Sequence, residues 1–370
     1  MQSNVTVTGG VAGEVLMTPG VYRARSAATA LAVWLAMAAA YSQAQDPAVV
    51  RVSLTRRLMG VAWRITVHAS SAEAGREAIA AGFGEVERLE RILSDYDPQS
   101  ELCRLSAASP TGGPVPVGED LWRVLMRSVE IRDATGGAFD PTVGPLTTLW
   151  RQARRSGRLP PPEKLAVARS AVGPDTLRLV TEPHGVVLER PGMRLDLGGI
   201  GMGYAADRAI EVLERHGIRS ALIDASGDIR ASGPPPGSAG WRVSVAPLAV
   251  GNEPDRARLP GRVVELAHAA VTTSGDAYQA VEIDGRRYSH VVDPRSGIGV
   301  SGPAAVTVVA RDCTTADAMA TAASVLGPEA GSAAIERERG CAARFVWIED
   351  GTERTAETAR WSAQVSHLPR

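Results

Sequence analysis

Cysteine and lysine are scarce in this chain, and each shortage narrows the possible functions. The three cysteines, Cys103, Cys313 and Cys341, are odd in number, far apart and without the spacing of a metal site. An exported protein could pair two of them, but buried or inert thiols are the simpler expectation. The chain also lacks a Gly-Lys-Ser/Thr phosphate loop and any Ser-His-Asp or thiol nucleophile signature. Covalent catalysis by a serine or cysteine nucleophile and P-loop chemistry are therefore not predicted.

An excess of charge of one sign is also missing. The chain has 40 Lys and Arg against 41 Asp and Glu, a net charge of −1, and a single lysine, Lys164. It therefore lacks the basic footprint of a nucleic-acid-binding protein, and we predict no nucleic-acid partner. With 370 residues, 44% of them hydrophobic, the chain is long enough for one large domain or two closely packed ones.

The N-terminal segment has the residue order of a secretory signal. Arg23 and Arg25 precede an apolar run over 27–40, and cleavage after Ala44 is expected. The run is too short to predict a membrane span, so a retained signal anchor is the alternative interpretation. No cysteine follows the run, so we do not expect a lipid-anchored lipoprotein. An exported protein, periplasmic or associated with the outer side of the inner membrane, is predicted.

These features define three segments. Residues 1–44 are predicted as the signal peptide, with Met17 as a possible true start because the preceding residues are unlike a signal sequence. Residues 45–350 form the predicted main domain, and residues 351–370 a polar, loosely held C-terminal tail.

Apolar periodicity after the signal predicts an α+β fold with mixed, largely antiparallel sheets and packed helices. Residues 49–69 alternate like one or two strands, whereas 73–93, 119–134, 203–216 and 314–327 have helical spacing or composition. The remaining strand segments follow one another without regular βαβ units, which favours antiparallel pairing.

Four stretches place glycine and a carboxylate at strand ends. The first, DLGGIGMGYAADR from Asp196, is either an anion-binding loop or a plain strand-to-helix turn. Two more contain Gly227–Asp228 and Asp276, and each is equally well explained as an ordinary turn. The fourth contains His290, which is either a general base or a structural histidine.

The Ala-rich segment 314–327 carries a carboxylate and a hydroxyl in register. Asp317 and Thr321 are one helical turn apart, and such hard oxygen ligands suit Mg²⁺. Thr314 and Asp317 also match the spacing of a capping box, so a purely structural role is the alternative. Tyr96, Phe139 and Asp140 place aromatic rings beside acids, which suits either a flat heterocycle or core packing.

Taken together and in order, seven motifs resemble the ApbE family of FAD:protein FMN transferases. They lie between about Met59 and Ile348 and read LSDYDPQSEL, GAFDPTVGPL, DLGGIGMGYAADR, GDIRASG, TSGD, YSHVVDPRSG and TADAMATAASVLG. The resemblance implies a single ApbE-like catalytic unit that is exported and Mg²⁺-dependent. Such an enzyme cleaves FAD as its substrate, places FMN on a threonine hydroxyl of a target protein and releases AMP.

The resemblance also assigns roles to individual positions. It implies that Asp317, Thr321 and the backbone carbonyl of Gly199 bind Mg²⁺, and that His290 takes the proton of the acceptor threonine. The implied flavin-nucleotide contacts are Met59, Tyr96, Ala138, Phe139, Asp140, Asp196, Met202 and Val292.

Two departures from the family pattern leave alternatives open. Met202 stands where the family usually has lysine, and DASGD replaces the usual Asn-x-Gly-Gly-Asp/Asn. The predicted acceptor is a redox-complex subunit or exported flavoprotein with an Asp-x-x-Thr-type motif. An FAD pyrophosphatase giving FMN and AMP is one alternative, because it would share the same metal site. A non-catalytic exported FAD-binding protein is the other, and the two departures suggest it.

Overall fold

The computed structural model describes residues 49–245, 262–275, 280–301 and 304–366. The predicted signal peptide and Asp276 lie outside the described residues. None of the helices in the described part is long and apolar enough to cross a membrane.

The elements are numbered in chain order. The strands are β1 (Val50–Leu58), β2 (Val61–Ala69), β3 (Val115–Pro116), β4 (Leu177–Val180), β5 (Gly185–Leu188), β6 (Ser220–Ala225), β7 (Asp228–Ala231), β8 (Trp241–Val245), β9 (Arg262–Leu266), β10 (Ala269–Gly275), β11 (Val281–Ile283), β12 (Arg286–Val292), β13 (Gly299–Ser301), β14 (Ala304–Ala310), β15 (Ala342–Glu349), β16 (Thr352–Glu357) and β17 (Val365–Ser366). The α-helices are α1 (Ala72–Leu93), α2 (Glu101–Ala107), α3 (Glu119–Ala134), α4 (Gly144–Ser156), α5 (Pro162–Arg169), α6 (Gly201–Arg215) and α7 (Cys313–Arg337).

An eight-stranded antiparallel sheet forms the centre of the molecule. Its strand order is β1-β2-β6-β7-β10-β14-β15-β16, and three smaller sheets have the orders β11-β12-β13, β17-β9-β8 and β3-β5-β4. Strand pairs in all four sheets are antiparallel. The predicted α+β class with largely antiparallel sheets is therefore confirmed.

The main core lies between the sheet and the helices α1, α6 and α7. In β2 the alternate residues Trp63, Ile65 and Val67 are fully buried, as their period of two predicts. They belong to the same core cluster as Ile79 and Phe83 of α1. The helix α1 begins where the Ser71 hydroxyl accepts a hydrogen bond from the Ala74 amide, so the predicted helix over 73–93 is confirmed.

Two tight turns lie at the same end of the central sheet. Met59 and Gly60 connect β1 to β2 with φ of 47° and 80°, and Ser226 and Gly227 connect β6 to β7 with φ of 59° and 113°. Trp63 at the start of β2 pairs with Ala225 at the end of β6, so both turns lie at the same end of the strands. The hairpin interpretation of the Gly227–Asp228 segment is therefore confirmed.

The helix α7 follows β14 and packs against both β14 and β10. Its N-cap is Asp312, whose Oδ1 accepts from the Thr315 amide at 2.7 Å. Gly327, with φ of 77°, interrupts the helix before Pro328, and the chain then resumes helical structure to Arg337. The predicted helix over 314–327 is therefore the first part of a longer, kinked element.

The C-terminal segment differs from the loosely held tail that we predicted. Residues Thr352–Glu357 form β16, the last strand of the central sheet, paired with β15. Trp361 is 0% exposed and packs in a second core cluster with Trp241 and Leu266. The prediction of a separate tail from residue 351 is wrong for this stretch because its tryptophan completes a core on the sheet.

Candidate active site

The acidic side chain of Asp317 is buried where α6 and α7 cross. It is 5% exposed, and its Oδ2 accepts a hydrogen bond from the Gly203 amide at 3.2 Å. The crossing is so close that a Cβ on Gly203 would lie 2.3 Å from the Cys313 carbonyl oxygen. Only glycine fits at this position of the DLGGIGMG loop.

The capping-box interpretation of Thr314 and Asp317 is wrong. Asp312 is the N-cap, and the amide and hydroxyl of Thr314 instead donate to Oδ2 of Asp207 on α6, at 2.8 Å and 2.6 Å. The carboxylate of Asp317 is therefore not used to cap its own helix.

Thr321 lies directly against the glycine loop. A Cβ built on Gly199 would lie 2.8 Å from Thr321 Oγ1 and 3.1 Å from its Cγ2, closer than such atoms approach. The structure thus brings together the three residues predicted as metal ligands: Gly199 and Thr321 are in contact, and Asp317 lies one turn before Thr321.

These groups have the donor chemistry that Mg²⁺ prefers. One carboxylate, one hydroxyl and one backbone carbonyl are all hard oxygen donors. Within the described ranges, no three His, Cys, Asp or Glu side chains cluster as a metal site, so the site would depend on this mixed set. Burial and the neighbouring charge of Asp228 raise the pKa of Asp317 well above its usual range. A divalent cation would stabilise the carboxylate form that burial disfavours, so the residues fit the ion.

Asp228 is a component of the site that the sequence analysis treated only as a turn residue. It is 5% exposed and hydrogen-bonded to Thr272, and its own pKa is raised by burial and by Asp224. The signal for it was the carboxylate directly after the Ser226–Gly227 turn, in the GDIRASG motif that contributes to the family resemblance.

A second group of predicted residues surrounds Arg151 on α4. Its guanidinium contacts Asp95 Oδ2 at 2.6 Å and Asp196 Oδ2 at 3.1 Å. The same group lies 4.4 Å from the ring centroid of Tyr96, which is 74% exposed. Asp196 also accepts from the Thr147 hydroxyl at 2.7 Å. Tyr96 and Asp196, both predicted nucleotide contacts, are therefore joined by an arginine that the sequence analysis missed.

The GAFDPTVGPL segment, called the GAF segment below, runs alongside the residues around Arg151. Asp140 accepts from the amide and hydroxyl of Thr142 at 2.8 Å and 2.6 Å, and burial raises its pKa. The next residue, Pro141, accepts from the Asp196 amide at 2.9 Å. Phe139 is buried in the main core.

The strand β12 carries His290 and Val292 into the same region. Val291, between them, packs with Ala138 and with Val325 of α7. Val292 packs in a separate cluster with Trp150, whose indole nitrogen donates to the Ser289 carbonyl at 2.9 Å. His290 is therefore fixed on a strand that contacts both the GAF segment and the ligand-bearing helix.

The two predicted methionine contacts are half-buried at the margin of the main core. Met59 occupies the β1–β2 turn, and Met202 lies in the first turn of α6, next to Gly203. From Asp196 to Gly203 the loop has no basic residue.

Comparison with known proteins identifies the family to which the chain belongs. The model of the ApbE family matches residues 59–345. The FAD:protein FMN transferase of Escherichia coli K12 is 30% identical over 290 residues, covering 77% of this chain and 81% of that protein. The enzyme of the same name from Treponema pallidum is 32% identical over 306 residues, covering 78% and 83%.

Solved structures agree. The apo crystal structure of Pseudomonas stutzeri flavinyl transferase ApbE superposes with a TM-score of 0.74 at 30% identity, covering 85% of this chain and 97% of that one. The resemblance seen in the seven motifs is therefore confirmed, and the chain belongs to the ApbE family.

Proposed function

We propose that this protein catalyses the Mg²⁺-dependent transfer of FMN from FAD to a threonine hydroxyl of a target protein, with release of AMP. Membership of the ApbE family, whose named relatives are FAD:protein FMN transferases, makes the chain a flavin transferase that uses FAD and a protein acceptor. The metal and the threonine are the parts we propose. The observation that supports the metal is the convergence of Gly199, Asp317 and Thr321, whereas the threonine acceptor is proposed from the family resemblance.

The reaction balances without a covalent intermediate on the enzyme. The threonine oxygen forms a bond to the FMN phosphorus, the bond from that phosphorus to the bridging oxygen breaks, and AMP leaves with that oxygen. Such phosphoryl transfer depends mainly on positioning and charge neutralisation. Mg²⁺ held by Gly199, Asp317 and Thr321 would supply this charge neutralisation.

His290 is proposed to take the proton of the acceptor hydroxyl. A neutral imidazole has the proton affinity needed near neutral pH. Its strand is held against Ala138 and Val325 through Val291, so the backbone that carries the imidazole is fixed on both sides.

The location is proposed from the N-terminal sequence, and the acceptor is proposed from the family resemblance. We propose an exported protein, periplasmic or on the outer side of the inner membrane, because Arg23 and Arg25 precede an apolar run. The acceptor would be a redox-complex subunit or exported flavoprotein with an Asp-x-x-Thr-type motif.

Mass spectrometry tests the proposal directly. The protein from residue 45 onward is incubated with FAD, Mg²⁺ and an acceptor protein carrying the Asp-x-x-Thr motif, and AMP is measured in parallel. We expect the acceptor to gain one FMN, with no gain in EDTA or after replacing its threonine by valine. AMP with free FMN and an unmodified acceptor would identify a pyrophosphatase. FAD that binds but is never cleaved would identify a binding protein.

Asp317→Asn tests the proposed metal site. The asparagine oxygen can still accept from Gly203, so the fold is retained while the charge is lost. We expect transfer to fall by about 100-fold, equivalent to about 2.7 kcal/mol in the barrier. A variant that is as active as wild type per folded molecule would remove Asp317 from the metal site.

A further inference from the structure

Arg151 joins two nucleotide-side residues that are far apart in sequence. One guanidinium nitrogen contacts Asp95 and another contacts Asp196, at 2.6 Å and 3.1 Å. Asp95 lies on the turn after α1 and Asp196 opens the glycine loop before α6. A single side chain of α4 therefore ties both segments together.

The charges explain why arginine occupies this position. Asp95 and Asp196 are only 6% and 8% exposed. Burial and the charge of Asp196 raise the pKa of Asp95, and Arg151 acts in the opposite direction. A planar guanidinium can donate to two carboxylates from separate nitrogens, whereas an ammonium group has no such fixed fork.

The same guanidinium also supports the ring of Tyr96. Its central carbon lies 4.4 Å from the ring centroid, within the range of a cation–π contact. Tyr96 is nevertheless 74% exposed, so a large part of the ring is open to solvent. The Tyr96 amide donates to the Ser94 hydroxyl at 3.2 Å, which fixes the turn that carries the ring. An exposed aromatic ring held on a cation is suited to stacking with a flat heterocycle.

Asp196, which pairs with Arg151, also accepts a hydrogen bond from the glycine loop. Its Oδ1 accepts from the Gly198 amide at 2.9 Å, one residue before Gly199. No residue from Asp196 to Gly203 is basic. The positively charged side chain that pairs with this loop is therefore Arg151 of α4.

We propose that Arg151 is a positioning residue for FAD, holding Tyr96 as a stacking platform for a flat ring of the dinucleotide and fixing Asp196 at the start of the glycine loop. The inference rests on the proposed function, because it takes FAD as the ligand of this site. Arg151 acts through Tyr96 and Asp196 and is not assigned a contact with the reacting phosphates.

The first test separates binding from chemistry. FAD affinity of the full chain is measured by fluorescence quenching without Mg²⁺, and kcat is measured with Mg²⁺ and acceptor at saturating FAD. We expect Arg151→Met to weaken FAD binding about tenfold and Arg151→Lys about threefold, with kcat within about threefold of wild type. Arg155→Met is the matched control: this exposed arginine of the same helix donates to the Arg151 carbonyl, and its loss should leave affinity unchanged.

A double-mutant cycle tests whether Arg151 acts through the ring. Tyr96→Ala should bind FAD more weakly than wild type, and Tyr96→Phe, which keeps the ring, should lose less affinity than Tyr96→Ala. Adding Arg151→Met to Tyr96→Ala should cost less affinity than it does in wild type, because the platform is already lost. If Arg151→Met alone unfolds the protein by leaving two buried carboxylates unpaired, the cycle is run with Asp95→Asn present in every variant.

The outcomes distinguish the two proposals. Unchanged FAD affinity in folded Arg151→Met, or strictly additive losses in the cycle, would overturn the role of Arg151 while leaving the transferase proposal intact. FAD binding that depends on Arg151 in a protein that never transfers FMN would overturn the transferase proposal alone. Wild-type protein that does not bind FAD would overturn both.

Discussion

Thr321 occupies the space that a side chain at position 199 would need, so glycine is the residue that fits there. A Cβ there would lie 2.8 Å from the Thr321 hydroxyl and 3.1 Å from its methyl group. We expect Gly199→Ala to lower the free energy of unfolding by about 1–3 kcal/mol, the usual cost of overpacking. Urea unfolding of the purified variant would measure it.

A second variant tests whether crowding by Thr321 causes the stability loss expected for Gly199→Ala. Thr321→Ala removes both crowding atoms, so Gly199→Ala should cost clearly less in that background than in wild type. An equal cost in both backgrounds would show that the loop backbone, and not Thr321, disfavours alanine.

The residues of the site were predictable only where a local motif carries them. Asp317 and Thr321 share one helical face, and a glycine-rich loop is visible in the composition of the sequence. Arg151 is 56 residues from Asp95 and 45 from Asp196, and nothing in its own neighbourhood reveals those partners. Long-range ion pairs have no period in the sequence, so this arginine and Asp207 emerged only from the fold.

At the scale of elements, Asp207 fastens α6 to the start of α7. Its carboxylate accepts from the Cys313 amide at 2.9 Å and from the amide and hydroxyl of Thr314, and it pairs with Arg230 at 2.8 Å. We expect Asp207→Asn to lower the free energy of unfolding by about 2–4 kcal/mol, because the remaining oxygen cannot serve all four donors.

Urea unfolding is again the measurement, with Arg230→Met as a comparison that removes the ion pair and keeps the bonds to α7. If Asp207→Asn costs no more than Arg230→Met, the bonds to α7 contribute little to stability.

An acid-sensitive network joins α1, α3 and α6. Arg88 bonds Glu85 at 2.8 Å and Asp120 at 2.7 Å, and Tyr204 donates to Asp120 at 2.7 Å. The hydrogen bond from Arg88 lowers the pKa of Glu85. Burial alone would raise the pKa of Asp120, but bonds from Tyr204 and Arg88 leave it lowered.

The sign of the pH dependence follows from these shifts. Folded-state pKa values below the unfolded values of about 4 mean that the network stabilises the protein above that pH and loses its contribution as pH falls further. Wild type should therefore lose more stability between pH 6 and pH 3 than Arg88→Met. Parallel pH profiles in wild type and variant would contradict this assignment; denaturation followed by circular dichroism at each pH supplies them.

Helices were easier to predict than their ends. The spacing over 73–93 and 119–134 matches α1 and α3 closely, because one face of each helix is apolar. The pair Gly327–Pro328 resembles a stop signal, and the chain does break there, but it continues as helix to Arg337. The strand β16 was missed because its residues are mostly exposed on both faces and show no alternation.

For the whole molecule, the C-terminal segment is part of the fold. Trp361 is fully buried beside Trp241, and Arg360 donates to the carbonyls of Cys341 and Ile335 at 2.7 Å and 2.9 Å. We expect Trp361→Ala to lower the free energy of unfolding by about 3–5 kcal/mol, as for other buried aromatic residues.

Ending the chain at residue 350 should be more damaging still, because it also exposes the edge of β15. Solubility and unfolding midpoints of both proteins, compared with wild type, are the measurement. A truncated protein as stable as wild type would restore the prediction of a loosely held tail.

The glycine loop is bonded at both ends: Asp196 holds Gly198 and pairs with α4, and the Gly203 amide bonds to Asp317 on α7. The stretch between these bonds therefore has a fixed length. A single inserted or deleted residue there must break one of the two attachments, whereas the exposed connection after α4, over 157–159, has no such constraint. Variation in length among functional descendants of this sequence should accordingly collect after α4 and be absent between Asp196 and Gly203.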